Sequence, residues 1–214
     1  VEAEKTYAHL LQMGEGSPEL LLRLIDLNLK LNNPDKAMLI VEKGPKHEHF
    51  KLEAANKFIS NKFYSYAQKI LNEILSRKDV PPRTYFYLAI LAYEKDHDAQ
   101  KAVDFLDKIP ENNKFFPQAL LFRIQLLLQL EDFEQALTLT RLGQKKFPNQ
   151  NQFWLLQAHI YEFRNKFSQA LKILEKGLQK WPGNPELLFR KGVILDTMGK
   201  REQAITTMEK IIAA

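Results

Sequence analysis

Seven alanines stand at Ala3, Ala37, Ala67, Ala102, Ala136, Ala170 and Ala204, at intervals of 34, 30, 35, 34, 34 and 34 residues. A spacing that holds register over six steps is a period, and a period of roughly 20–50 residues marks an array of stacked units. Each alanine opens the second helix of a pair, where only a small side chain lets two helix backbones approach closely. For a chain of 214 residues this predicts helical hairpins that bury their faces against their neighbours in one continuous core. Hydrophobic content of 45% is ample for such a core.

The clearest unit is 151–184, NQFWLLQAHIYEFRNKFSQALKILEKGLQKWPGN. Trp154 is followed by Ala158, Tyr161, Ala170, Leu174 and Pro182, which fits W-x2-L-G-x2-Y…A-x3-F…P except that Gln157 replaces the first Leu. The sequence therefore resembles a tetratricopeptide-repeat protein. Its Lys-, Asn- and Phe-rich character is also similar to multi-repeat proteins of bacterial cell envelopes. The resemblance implies an all-α fold, an array of antiparallel helix pairs wound into a right-handed superhelix.

The period divides the chain into one array. Residues 1–17 read as a second helix without its first, ended by Gly14 and Gly16, and the whole repeats are 18–46, 47–82, 83–116, 117–150, 151–184 and 185–214. Ser17-Pro18-Glu19 is a helix start, with Ser as cap and Pro at the first helical position. Asn32-Asn33-Pro34-Asp35 is a turn, and the helix from Lys36 stops early at Gly44-Pro45, which shortens one interval to 30. The second repeat diverges most, with Lys51 where a large apolar residue is expected, and Pro81-Pro82 and Pro110 bound the third. The first helix of the fourth, QALLFRIQLLLQL, is apolar almost all round and is expected to be buried between neighbours. Neither end carries a polar capping helix, as a segment of a longer repeat protein would not; a chain that caps itself by dimerisation is the other reading.

Two oddities have structural readings. Gly44, Gly143 and Gly177 occupy one equivalent site in three second helices, where close contact with the next unit's first helix would offset the helix penalty of about 1 kcal/mol. Arg123, Gln157 and Lys191 stand where the family prefers Leu, and are expected to bury their stems while their heads reach solvent.

Chemistry is sparse. With no cysteine, disulfides and thiolate nucleophiles or metal ligands are excluded, which fits a cytoplasmic or a periplasmic, envelope-associated chain alike. No apolar run has the length of a membrane-spanning helix. His47-Glu48-His49 lacks a third ligand at zinc spacing and reads as a solvated turn. His159 shares a helix face with Glu162, but no nucleophile accompanies them, and Gly-rich phosphate loops and G-x-S-x-G are absent. No enzyme activity, small-molecule substrate, cofactor or metal is expected. A net charge of +5 is mild and spread over every repeat. Lys145, Lys146, Lys172, Lys176 and Lys180 are interrupted by Glu175 and read as a solvated face in preference to a nucleic-acid strip.

The resemblance implies protein or peptide binding in a concave groove faced by the second, fifth, ninth and twelfth residues of each first helix. The fifth residues form an apolar ladder, Leu22, Leu52, Tyr87, Leu121, Leu155 and Phe189. The ninth include Leu91, Gln125 and His159, the twelfth include Glu162, and Gln129 lies beside them. Such a ladder is either covered by a partner segment or filled by tight winding of the array. The groove candidates are therefore Leu52, Tyr87, Leu91, Leu121, Gln125, Gln129, Leu155, His159, Glu162 and Phe189. The Lys and Asn pattern by which chaperone-binding members clamp an acidic tail is missing, since Leu52, Asn56, Leu91, Gln118 and Phe122 stand at its positions. A scaffold that self-associates through open stack ends is the alternative to an adaptor.

Overall fold

The computed structural model describes residues 17–212; the helix expected over 1–12, its Gly14 and Gly16 stop, and Ala213 and Ala214 lie outside the described residues. Among the described residues the fold is all-α: twelve helices pair into six hairpins and there is no strand. In chain order they are α1 Pro18–Lys30, α2 Pro34–Lys43, α3 Glu48–Ser60, α4 Tyr64–Leu75, α5 Pro82–Glu94 and α6 Ala99–Asp107. Then follow α7 Phe116–Gln129, α8 Phe133–Lys146, α9 Gln152–Phe163, α10 Phe167–Lys180, α11 Pro185–Thr197 and α12 Arg201–Ile212. The second helix of the first hairpin begins at Pro34, two residues before the expected Lys36, because proline is well tolerated in a first helical turn.

The chain forms two compact units, Val1–Phe115 and Phe116–Ala214. Within each, a first helix packs on its own second helix and on the next first helix, and a second helix packs on the first helix that follows it. The alanines that define the period sit where helices meet: Ala37, Ala67, Ala102, Ala136 and Ala170 are wholly buried and Ala204 nearly so. In α7 the apolar surround is used on most sides, with Phe116, Ala119, Leu120, Ile124, Leu126, Leu127 and Leu128 buried.

Local signals set the helix ends. Ser17 Oγ accepts from Leu20 N–H at 3.3 Å, and Asp98, Asp132 and Asn184 cap α6, α8 and α11 in the same way. His47 caps α3, its Nδ1 accepting from Phe50 N–H at 3.1 Å, so this histidine has a structural task. Each hairpin turn repeats one device. Asn32, Lys62, His97, Glu131, Asn165 and Gly199 all have φ between 55° and 76°, and five of these six are not glycine. In five of the turns the next residue donates back to the carbonyl five positions earlier, as Asp132 does to Leu127 at 2.9 Å, which satisfies a carbonyl that the helix end leaves open.

Gly143 and Gly177 sit inside second helices as their spacing predicts, whereas Gly44 follows the end of α2 in extended backbone, φ -76° and ψ -172°, and so carries no helix penalty. A Cβ on Gly143 would lie 2.2 Å from the ring of Phe153 on the next first helix, and one on Gly44 would lie 2.8 Å from Phe50. At Gly177 the fit is looser, 3.2 Å from Leu187. Phe50, Phe153 and Leu187 are all fully buried, so each glycine is the floor of a socket for the following hairpin.

The polar substitutions for leucine divide. Arg123 and Lys191 keep partial exposure, Arg123 donating to Gln135 Oε1 at 3.3 Å and Lys191 pairing with Glu175 at 3.1 Å. Gln157 departs from the expected solvent-reaching head: it is buried, and its Oε1 accepts from Gln144 Nε2 at 2.8 Å. A buried amide needs such a partner, and α8 supplies it. Lys51 is also buried, its ammonium paired with Glu73 of α4, and that hydrogen bond holds the Glu73 carboxyl below its ordinary range.

Gly143→Ala is expected to lower stability by about 1–3 kcal/mol, because Phe153 has no room to retreat. Gly177→Ala should change it by less than about 1 kcal/mol in either direction, since helix propensity offsets a mild contact. Urea unfolding of the two variants beside the parent checks the contrast. Glu131→Gly should raise stability by up to about 1 kcal/mol by relieving left-handed backbone, read as a higher midpoint in the same titration.

Candidate functional site

In the C-terminal unit the first helices α7, α9 and α11 pack in sequence and carry Leu121, Leu155 and Phe189 at the same position of the period. These three residues line one cavity of about 630 Å³, together with Gln125. Leu156, Pro185 and Ile211 extend its apolar wall, and Gln152, Glu186 and Arg190 supply polar edges. Phe189 is 56% exposed, large for an aromatic ring outside a contact. Six apolar and four polar side chains around an open cavity is the make-up of a site that takes apolar groups and orients them with a few hydrogen bonds.

Beside it, Arg190 on α11 pairs with Glu162 on α9 at 3.2 Å, tying the two helices and occupying both charges. His159 lies half-buried one turn from Leu155, with its ring edge-on to Phe163 at 6.3 Å between centroids. Burial, and then the positive Arg190, hold its imidazole below the ordinary value, while Glu162 opposes them. Gln129 is exposed at the end of α7 and does not line the cavity.

The N-terminal unit treats the corresponding groove positions differently. Leu52, Tyr87 and Leu91 are buried at 5%, 4% and 1% exposure, inside the core rather than on an open surface. The Arg83 guanidinium lies 5.0 Å from the Tyr87 ring, and burial pushes the Tyr87 hydroxyl up to about 12. Leu22 lies in a separate concavity of about 500 Å³ with Arg23, Asp26, Lys30 and Lys57. There charge dominates: Asp26 pairs with Lys30 at 2.8 Å and Lys57 at 3.9 Å, and accepts from Asn61 at 3.3 Å. Burial raises the Asp26 carboxyl, but the bonds from Lys30 and Asn61 together with the charges of Lys57 and Lys30 leave it below its usual range.

Leu121, Gln125, Leu155 and Phe189 are thus brought together, with His159 and Glu162 on the neighbouring turns. Sequence reasoning missed Gln152, Leu156, Pro185, Glu186, Arg190 and Ile211 as lining residues. Gln152 and Glu186 stand at the second position of their first helices, so the period already pointed to them. Leu156 and Arg190 are one step beyond the ladder. Ile211 comes from a second helix, and no groove position marks it. Among the described residues no three His, Cys, Asp or Glu gather as metal ligands, and no helix is long and apolar enough to cross a membrane.

Because His159 is held below its free value, the unfolded chain binds a proton that the folded chain resists. Its contribution to stability is complete above the unfolded-state value near ~6.5 and is lost as pH falls toward the lower folded-state value. A nuclear magnetic resonance titration should place the His159 midpoint below ~6.5. His159→Phe should flatten the slope of stability against pH in that window.

Comparison with known proteins adds a family and a fold. Residues 164–214, which hold α10, α11 and α12, match the family model described as Tetratricopeptide repeat. No curated protein matches the sequence. Among solved structures, MamA 41-end from Desulfovibrio magneticus RS-1 superposes with a TM-score of 0.62 at 16% identity, covering 77% of this chain and 93% of that one. The MamA RS-1 ArsTM double mutant gives 0.62 at 15% identity, with 77% and 92% covered, and another crystal structure of MamA gives 0.61 at 14%, with 74% and 92% covered. At these identities the likeness concerns fold. The family's pattern is matched over the last three helices and the same hairpin recurs before them, so the chain has the fold of a tetratricopeptide-repeat array.

Proposed function

We propose that this chain is a non-catalytic protein-interaction module that holds a segment of a partner protein against α7, α9 and α11. The observation that carries this reading is the run of Leu121, Leu155 and Phe189 around one cavity of about 630 Å³. Pockets that hold ligands by apolar contact span about 300–1,000 Å³, and this one falls inside that range. Exposed apolar surface of this kind gains free energy when covered, at about 25 cal/mol per Å² of apolar area removed from water. Gln125 and Gln152 each offer an amide donor and an acceptor, which suits the main chain of an extended or helical segment. The groove candidates Leu52, Tyr87 and Leu91 act in this reading as the core that stiffens the N-terminal unit.

A scaffold role through self-association has an observation of its own. On α12, Ile205 and Ile212 are 59% and 89% exposed. Nucleic acid is a weaker partner for this surface, because Glu175 both interrupts the lysines of α10 and pairs with Lys191.

The test uses the chain beside the double variant Leu121→Glu, Leu155→Glu. Neither leucine is fully buried, so helicity by circular dichroism should be unchanged, while capture of partner protein from a lysate of the source cells should fall at least about tenfold, the equivalent of roughly 1.4 kcal/mol. Undiminished capture by the folded variant would remove the groove from the proposal. Sedimentation of the parent at rising concentration reads the scaffold alternative.

A further inference from the structure

The basic charge of the chain is not carried into this groove, where Glu186 is the charge left without an ionic partner among the described residues. The protein carries a net charge of +5, yet the charged side chains that line the cavity are one carboxylate, Glu186, and one cation, Arg190. Arg190 is already committed to Glu162 at 3.2 Å. Glu186 lines the cavity, is exposed, and receives a hydrogen bond from Asn151 at 3.3 Å, but it forms no ion pair among the described residues. The lysines that make the chain basic, such as Lys145, Lys172 and Lys176, are exposed on the second helices α8 and α10 instead.

We infer that the occupant of this groove is an apolar protein segment carrying a lysine or arginine beside its apolar anchors, the cation meeting Glu186. The inference rests on the groove reading above. An acidic segment would bring a second negative charge against Glu186 with no free cation at the wall to receive it. An acyl chain offers no hydrogen-bond partner to the amides of Gln125 and Gln152 at the cavity edge and no cation to Glu186. A basic apolar segment satisfies both: its side chains fill the wall of Leu121, Leu155 and Phe189, its main chain meets the amides, and its cation meets the carboxylate.

A library of random short peptides displayed on phage, panned on the whole chain and counter-selected on the Leu121→Glu, Leu155→Glu variant, decides the matter. The expected peptides are lost on the double variant and enriched in Lys or Arg next to Leu, Ile or Phe. Glu186→Lys, an exposed change outside the core, should weaken the best of them by roughly twofold to fivefold, as expected for a solvent-accessible charge pair, and the loss should shrink at high salt. Groove-dependent peptides that are neutral or acidic, or that ignore Glu186→Lys, would overturn the inference and leave the groove standing. Peptides that bind the double variant as well as the parent, or no enrichment at all, would overturn the groove reading with it.

Discussion

The architecture depends on how closely two helix backbones can approach at one recurring point. Where Ala37, Ala67, Ala102, Ala136 and Ala170 pack, a single methyl group separates the chains, and none of it reaches water. The glycines before the next hairpin extend the same logic. At Gly143 even that methyl is removed, so the ring of Phe153 can occupy its place. Such close contacts fix the rotation of one hairpin on the next, because a longer side chain at either position would push the helices apart. The apolar stripe of each first helix therefore points in a set direction, which is how Leu121, Leu155 and Phe189 come to line one cavity.

Much of this was legible in the sequence, and the reasons are particular. The alanine spacing gave the helix pairs because close packing tolerates little else at those sites. Ser17 and Pro18 marked a helix start through an orphan amide and a fixed φ, and both act as read. The three glycines announced a contact that the structure fills with Phe50, Phe153 and Leu187. Turns at Lys62, His97 and Glu131 were invisible, since nothing in those side chains declares left-handed backbone; tertiary pairing of the two helices imposes it.

The site was legible only as a set of positions. Periodicity says which face a residue occupies, and it placed Leu52 and Leu155 on equivalent sites. It does not say what stands opposite. Tyr87 fills its surroundings in the N-terminal unit, and Leu52 disappears beneath neighbouring side chains, whereas Leu155 keeps an open side. Gln157 shows the same limit. Its amide was read as a head reaching water, but Gln144 on another helix satisfies it internally, a pairing 13 residues away that no local pattern encodes.

Lys51 carries a further consequence. It is the one buried lysine among the described residues; the other described lysine side chains are exposed or partly so. Amine-directed acylating reagents need an accessible amine, and Lys51 does not offer one while its side chain is buried and paired with Glu73. Its acylation thus has to wait for α3 and α4 to part, so the chain contains its own chemical clock for the opening of the second hairpin, set against a background of lysines that are open to solvent.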